Sequence, residues 1–223
     1  MQPTIASSKE NTLRITEIFY SLQGESTSSG LPTLFIRLTG CPLRCHYCDT
    51  AYAFQGGEQI ELHNLLLAVQ QYEPQNICVT GGEPLAQPNC LPLLSRLCDN
   101  HYPVSLETSG ALDISQVDQR VRIILDLKTP GSGEADKNLL DNLEHLKAID
   151  EIKFVICDKN DYNWAKALLQ TKELSKKVAA VLFSPCKDTI AAADLANWIL
   201  QDNLPVRFQL QLHKQIWGDT PGV

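Results

Sequence analysis

Leu34-Phe35-Ile36-Arg37-Leu38-Thr39-Gly40-Cys41-Pro42-Leu43-Arg44-Cys45-His46-Tyr47-Cys48-Asp49-Thr50 is an apolar run that passes straight into three closely spaced cysteines. Its first five residues read as a strand. The remainder has the pattern C-x-x-x-C-x-x-C, with an aromatic residue just before the last cysteine. Three thiolates packed this closely can hold three corners of a 4Fe–4S cube. The fourth iron then has no protein ligand and can bind a small molecule, which makes the site chemical rather than structural. Two plainer readings are weaker. A Cys3His zinc site would need His46 to fold back from between the other ligands. A local disulfide belongs to exported chains, and residues 1–12 are polar, without the apolar stretch of a signal peptide.

Outward from that run, strand and helix signals alternate. Leu62, Leu65, Leu66, Val69 and Tyr72 repeat at helical spacing, as do Leu91, Leu94 and Leu97, and again Leu139, Leu143 and Leu146. Residues 164–169 and 189–200 also read as helices. Strands are expected over 76–80, 104–107, 122–126, 151–156, 178–183 and 206–212. Such alternation implies parallel βαβ units. A chain of 223 residues is short for a full eight-fold barrel, which takes about 250. The expected fold is therefore α/β, an open, partial TIM-like barrel of about six parallel strands. It would form a single domain over 13–223 behind a flexible arm over 1–12. Arg37, the cysteine loop, Thr80 to Glu83, Glu107 to Ser109, Asp126 to Lys128, Ser184 and His213 gather at the expected C-terminal strand ends. In barrels that edge carries the chemistry.

Composition excludes some functions. The net charge is −7, which suits a general nucleic-acid binder poorly, because phosphate contacts need clustered Lys and Arg. No apolar run approaches the roughly 20 residues that span a bilayer, so a cytoplasmic chain without membrane or nucleic-acid partners is expected. Eight cysteines occur, five of them outside the cluster run. Cys78, Cys90, Cys98 and Cys157 lie in apolar segments and read as small buried hydrophobes. Cys186 follows Ser184-Pro185 and is less easily placed.

Thr80-Gly81-Gly82-Glu83-Pro84 ends a strand and opens a loop. Glycines let a ligand approach the backbone, whose free N–H and C=O groups can bind the two ends of an amino acid, with Glu83 for the ammonium. By itself Gly-Gly is also an ordinary turn.

The cysteine pattern, with Tyr47 before its last member and Gly81-Gly82-Glu83-Pro84 downstream, resembles the radical S-adenosylmethionine (radical SAM) superfamily. That resemblance implies a 4Fe–4S cluster on Cys41, Cys45 and Cys48, and S-adenosylmethionine bound at the open iron. Further segments narrow it. Ser21-Leu22-Gln23-Gly24-Glu25, Phe35 to Pro42, Cys48-Asp49-Thr50, Leu106-Glu107-Thr108-Ser109-Gly110 and Gln211-Leu212-His213-Lys214 are similar to the 7-carboxy-7-deazaguanine synthase family, along nearly the whole chain. The resemblance implies a lyase that converts 6-carboxy-5,6,7,8-tetrahydropterin to 7-carboxy-7-deazaguanine with loss of ammonia, on the path to queuosine and related 7-deazapurines. It also implies Mg²⁺, a homodimer and an electron donor such as flavodoxin or ferredoxin.

Residue roles follow from the same resemblance. Leu22, Gln23, Gly24, Thr80 and His213 would meet the pterin, and Arg37 its carboxylate, which suits a guanidinium fork. Thr50 would offer its hydroxyl oxygen to Mg²⁺. Gly82, Glu83, Glu107, Asp126, Lys128 and Ser184 would contact S-adenosylmethionine. The chain departs from the family in three places. Asp126-Leu127-Lys128 stands where many members have Ser-Pro-Lys, and Ser184-Pro185 where others have Gln-Pro. Ser26 replaces a usual glycine, so its loop is less free to adopt positive φ. Two rival functions are a superfamily activase that installs a glycyl radical on a partner protein, and a zinc-stabilised module without catalysis.

Overall fold

Strand β2 (Pro32–Leu38) carries an almost unbroken buried run from Thr33 to Ile36, the signature of a strand covered on both faces. The structure, a computed structural model, describes residues 11–218 and 220–223. In it β2 lies inside a nine-stranded sheet. The other strands are β1 (Thr12–Leu22), β3 (Glu58–Glu61), β4 (Ile77–Gly81), β5 (Val104–Thr108), β6 (Arg122–Asp126), β7 (Glu151–Ile156), β8 (Ala180–Pro185) and β9 (Arg207–Phe208). Their order is β3-β1-β2-β4-β5-β6-β7-β8-β9. From β2 to β9 every neighbouring pair is parallel. This is the expected open, partial barrel, with a two-residue seventh parallel strand added to the six longer ones.

Helices α1 (Leu62–Gln70), α2 (Cys90–Asp99), α3 (Lys159–Thr171) and α5 (Ala192–Gln201) follow strands, the short α4 (Leu174–Lys177) follows α3, and α6 (Leu212–Trp217) ends the fold. They cover the sheet through residues at helical spacing. Cys90, Leu93, Leu94, Leu97 and Cys98 of α2 are buried, as are Tyr162, Ala165 and Leu169 of α3. Phe154 of β7 and Phe183 of β8 meet edge-on at 5.5 Å beneath α3.

Several elements differ from the sequence expectation. Strands β1 and β3 form an antiparallel edge on β2, a feature the sequence reading left out. Residues 1–10 of the expected arm lie outside the described residues, and Thr12 already opens β1. The helix expected through Leu139, Leu143 and Leu146 is a single tight turn, Leu140–Glu144. Its buried Asn142 donates from Nδ2 to the carbonyls of Gly110 (3.2 Å) and Leu112 (2.8 Å) and accepts from the Ile114 N–H (3.2 Å). Those bonds draw the segment onto the loop after β5, and an amide side chain competing with the backbone in this way disfavours a helix. The last strand stops at Phe208 instead of running to Leu212, because the Leu212 N–H donates to the Gly24 carbonyl at 2.9 Å and α6 begins there.

The β1–β2 loop spans the open side of the barrel. The Ser26 N–H donates to Gln209 Oε1 at 2.9 Å, and Gln209 Nε2 returns a bond to the Ser26 carbonyl at 2.7 Å. Farther along, the Thr27 N–H reaches the buried Glu151 carboxylate at 3.0 Å, and the Arg122 guanidinium meets the Ser28 hydroxyl. Glu151 and Arg122 are the first residues of β7 and β6, so this part of the loop packs on the N-terminal edge of the sheet. Ser26 does adopt positive φ, at 67°. The strain of a non-glycine residue there, of order 1–2 kcal/mol, is offset by the paired amide of Gln209.

Candidate active site

One cavity of about 840 Å³ opens at the C-terminal ends of the strands. The cysteine loop leaves β2 directly into it, and Cys41, Cys45 and Cys48 line its wall as free, partly exposed thiols. Arg44 fixes the loop from outside. Its guanidinium stacks 4.2 Å from the Phe54 ring and donates to the carbonyls of Cys41 (2.8 Å) and Leu43 (2.6 Å). The His46 N–H donates to the Ser132 carbonyl at 3.0 Å, and the exposed His46 ring lies over Gly133. On the inner side, β4 presses against the loop at Gly82. A Cβ added there would lie 2.4 Å from the Gly40 carbonyl oxygen and 2.7 Å from Cys41 Cβ. The next residue ties the same contact, since the Glu83 N–H donates to the Gly40 carbonyl at 2.8 Å.

The donor set fits an iron–sulfur cluster. Burial raises the Cys41 thiol above its ordinary value and pushes Cys45 up to about 11, with Lys128 only partly opposing it. Thiols held this way gain most when a strongly cationic group binds and takes them as thiolates. Tyr47, inside the loop, keeps a buried hydroxyl without a hydrogen-bond partner among the described residues. Among those residues no group of three His, Cys, Asp or Glu side chains is set to hold a single metal ion.

Opposite the loop, β1 and β2 supply Phe19, Phe35 and Arg37. The two phenyl rings stack at 4.8 Å. Arg37 spends its Nε on Glu17 at 2.6 Å, and the Tyr52 hydroxyl shares that carboxylate oxygen at 2.7 Å. The guanidinium sits between the Phe19 and Tyr52 rings, 5.7 and 5.9 Å from their centres. Burial works against its charge, but Tyr52 and Glu17 outweigh it and raise the Arg37 pKa. Arg37 is thus held in the cavity with its terminal nitrogens making no hydrogen bond among the described residues.

At the centre, Glu107 at the end of β5 accepts from Gln23 Nε2 at 3.2 Å and from Thr80 Oγ1 at 3.0 Å. The structure therefore joins Glu107 to two residues read as pterin contacts. Below it lies an ionic group, half of which sequence reasoning missed. Lys153 of β7 contacts the Glu25 carboxylate and lies 3.3 Å from Asp126, while Lys128 lies 2.9 Å from Asp126. Gln211 Nε2 adds a bond to Glu25 at 2.6 Å. Burial opposes the charge on Lys153, yet Glu25 and Asp126 raise its pKa well above the ordinary lysine value. Burial also opposes the charge on Asp126, and Lys128 and Lys153 overcome it and hold the carboxyl below its usual range. The available signal was Lys153 itself, a lone cation in the apolar run Ile152 to Ile156.

The C-terminal segment completes the rim. Lys214 pairs with Asp49 at 2.7 Å, and the Thr50 hydroxyl donates to the same carboxylate at 2.9 Å. Burial would raise the Asp49 pKa, but the Lys214 charge and hydrogen bond bring it far below normal. Gly24 permits the approach of His213, because a Cβ there would lie 2.1 Å from His213 Nδ1. Thr220 to Val223 line the mouth as well; no motif in the sequence had marked them.

Of the residues marked from sequence, Leu22, Gln23, Gly24, Arg37, Cys41, Cys45, Cys48, Thr50, Thr80, Gly82, Glu107, Asp126, Lys128 and His213 all line this cavity. Glu83 and Ser184 do not. Ser184 is fully buried. Glu83 is fully buried too, and its carboxylate accepts from Leu85 N (3.0 Å), Thr108 Oγ1 (2.9 Å), Ser109 N (2.7 Å) and Ser109 Oγ (2.5 Å). With its acceptors filled by Leu85, Thr108 and Ser109, the side chain is not available for an ammonium. His213 stands on α6 rather than at a strand end. Cys157, expected to be buried, is half-exposed in the cavity wall, and Cys186 beside it is buried.

A Glu83→Gln substitution tests that correction. Its amide must turn a donor toward at least one of the same donors, so stability should fall by about 1–3 kcal/mol. S-adenosylmethionine affinity, measured by calorimetry on the cluster-loaded protein, should stay within twofold. Weakened affinity at unchanged stability would instead make Glu83 a ligand.

The radical SAM superfamily model matches residues 35–131. A 7-carboxy-7-deazaguanine synthase of Koribacter versatilis is 43% identical over 95% of this chain and 100% of its own length. That of Chlorobaculum tepidum is 42% identical, covering 97% of this chain and 100% of the relative. Among solved structures, QueE from Escherichia coli aligns with a TM-score of 0.75 at 26% identity, over 91% of this chain and 95% of that one. SuiB of Streptococcus suis, at 14% identity and a TM-score of 0.57, shares the fold alone.

Proposed function

The chain belongs to the 7-carboxy-7-deazaguanine synthase family of the radical SAM superfamily, and on that premise we propose that its cavity turns 6-carboxy-5,6,7,8-tetrahydropterin into 7-carboxy-7-deazaguanine with loss of ammonia. The observation that carries the reading is convergence: Gln23, Arg37 with Cys45, Thr80, Glu107 and His213 come from five segments of the chain to one cavity. Membership in a lyase family sets aside both the glycyl-radical activase and the zinc module.

Cys41, Cys45 and Cys48 would hold the 4Fe–4S cluster. When bound, the cluster and S-adenosylmethionine would supply the one-electron radical chemistry that side chains cannot perform. The backbone at Gly82, with Asp126 and Lys128, forms the S-adenosylmethionine side. Leu22, Gln23, Gly24, Thr80 and His213 take the pterin. The Gln23 amide offers both a donor and an acceptor to an aminopyrimidinone edge. Glu107 orients that amide and the Thr80 hydroxyl together. The terminal nitrogens of Arg37 meet the substrate carboxylate as a fork, and Glu17 and Tyr52 hold the guanidinium at the required angle. The Thr50 hydroxyl donates to Asp49, which leaves its oxygen lone pairs free, and that oxygen would hold Mg²⁺. A flavodoxin or ferredoxin electron donor, a homodimer and a cytoplasmic location belong to the same reading.

Anaerobic reconstitution with iron and sulfide, then turnover with S-adenosylmethionine, reductant and Mg²⁺, tests it. A brown protein that releases 7-carboxy-7-deazaguanine is expected. A brown protein that only cleaves S-adenosylmethionine would discard the pterin substrate, and equal rates in metal-free buffer would remove Mg²⁺ from Thr50. In the same assay Arg37→Ala should lower kcat/KM roughly 10- to 100-fold, the worth of a charged hydrogen bond of about 1.5–3 kcal/mol, with iron content unchanged.

A further inference from the structure

Cys157 and Cys186 stand one residue beyond the last paired positions of β7 and β8. Val155 pairs with Ser184 and Ile156 with Pro185 in parallel register. The Cys186 N–H donates to the Ile156 carbonyl at 2.8 Å, which continues the ladder to this point. Neighbouring strands run about 4.8 Å apart, within the roughly 4.4–6.8 Å between Cα atoms that a disulfide spans. Both side chains line the cavity and both are free thiols; the Cys186 thiol lies 3.8 Å from the Lys187 carbonyl, a contact it can give up on turning toward Cys157. Their backbones are already fixed. The Cys157 N–H donates at 3.0 Å to buried Asp161, whose carboxylate also accepts from Gly131 N (2.7 Å) and Thr129 Oγ1 (2.9 Å). Joining the sulfurs therefore requires side-chain rotation rather than movement of a strand. Neither cysteine belongs to the cluster run.

We propose that Cys157 and Cys186 form a redox-active dithiol, which a hydroperoxide entering the cavity oxidises to an intramolecular disulfide. The Cys186 thiolate attacks one peroxide oxygen and the O–O bond breaks. Cys186 becomes a sulfenic acid, and for hydrogen peroxide the departing oxygen takes a proton and leaves as water. The Cys157 sulfur then attacks Cys186 Sγ, the S–O bond breaks, and the hydroxyl leaves as a second water with the Cys157 proton. The peroxide gains the two electrons that the two sulfurs lose. The order of attack follows from the surroundings. The neighbouring Cys157 lowers the Cys186 thiol to about 6 against the effect of burial, with Thr189 and Lys214 assisting. Cys186, with burial, raises Cys157. A low-pKa thiol beside a resolving thiol is the arrangement that favours sulfenic acid followed by disulfide. The bond would join the end of β7 to the loop carrying Lys187, Asp188 and Thr189, all of which line the cavity. This inference does not depend on the identity of the pterin substrate.

The test treats the cluster-loaded protein with hydrogen peroxide at low molar ratio, then quenches with acid and alkylates with N-ethylmaleimide. Peptide mass spectrometry and iron content are read at each time point. The expected result is a peptide linking Cys157 to Cys186, short of two hydrogens, that accumulates while iron content is unchanged and Cys78, Cys90 and Cys98 remain alkylatable after unfolding. A Cys157→Ser variant should lose the cross-link and accumulate oxidised Cys186 instead. A link that forms only after iron is lost, a link from Cys157 to Cys45, or two free thiols when other cysteines have already oxidised would each overturn the proposal.

Discussion

A Gly82→Ala variant is expected to lose its iron and at least about 100-fold of its turnover, the penalty for roughly 1 Å of misplacement at a reacting centre. The backbone of Gly82 does not need positive φ, so the substitution introduces no torsional strain of its own. The added methyl would lie 2.4 Å from the Gly40 carbonyl oxygen and 2.7 Å from Cys41 Cβ. Both are parts of the cysteine loop, and a backbone oxygen cannot swing aside as the end of a flexible side chain could. Either the loop moves away from β4 or β4 moves away from the loop. In both cases Cys41 is displaced from Cys45 and Cys48, and the bond from the Glu83 N–H to Gly40 is stretched. Iron per chain after reconstitution, together with visible absorbance, reads the effect directly. Full iron content with normal turnover would show that the loop has slack this contact does not reveal. Gly40→Ala makes a useful comparison. Gly40 has open space around its missing Cβ but a φ of 99°, so strain alone should cost about 1–2 kcal/mol without a clash on the cysteines.

Replacing Lys153 with methionine should destabilise the fold by roughly 3 kcal/mol, the lower end of the effect of removing one partner from a buried ion pair. The lower end applies because the Glu25 and Asp126 side chains keep 13% and 18% of their exposure. Methionine fills much the same space, so the loss is electrostatic rather than a cavity. Glu25 is left with Gln211, and Asp126 with Lys128 alone. The pH dependence has a definite sign. The native Asp126 pKa lies below its unfolded value, so its contribution is complete above the ordinary carboxyl range, near about 4, and is lost as pH falls through the depressed native value. The variant, with Lys153 gone from beside Asp126, has less of this contribution to lose. The stability gap between wild type and variant should therefore stay open from neutral pH down to about 4 and narrow as pH falls further, through the depressed native value of Asp126. Urea unfolding of the metal-free protein at several pH values measures it, and a gap that widens in acid would contradict the network. Adding Glu25→Gln to Lys153→Met should recover part of the loss, because it removes the uncompensated charge.

Local chemistry made part of the site legible in advance. Cys41, Cys45 and Cys48 lie within a span of eight residues, and their spacing alone carries the chemistry, whatever lies around them. Arg37, Thr80 and Glu107 could be placed on one edge because each ends an apolar run, and parallel strands bring such ends together. Glu83 illustrates the limit. Its motif marked it for a ligand, yet Thr108 and Ser109 on the neighbouring strand fill its acceptors. The sequence could not show that, because the partners lie 25 and 26 residues away and only strand pairing brings them in. Lys153 and Glu25 were missed for the same reason. Lys153 stands out as a lone cation in an apolar run, but its partner Glu25 looks like an ordinary charge until β7 and the β1–β2 loop place them together.

Spacing and periodicity are properties of short segments, and they determined the cluster loop, the parallel alternation and the edge on which the site lies. The tertiary structure alone decided what happens across the gaps. The β1–β2 loop bonded to Gln209 and Glu151, α6 in place of a longer last strand, Asn142 turning a predicted helix into a single turn, and Cys157 beside Cys186 all depend on contacts between distant segments. Such contacts are selected by which buried polar groups find partners once the sheet has formed, and no local pattern records that choice.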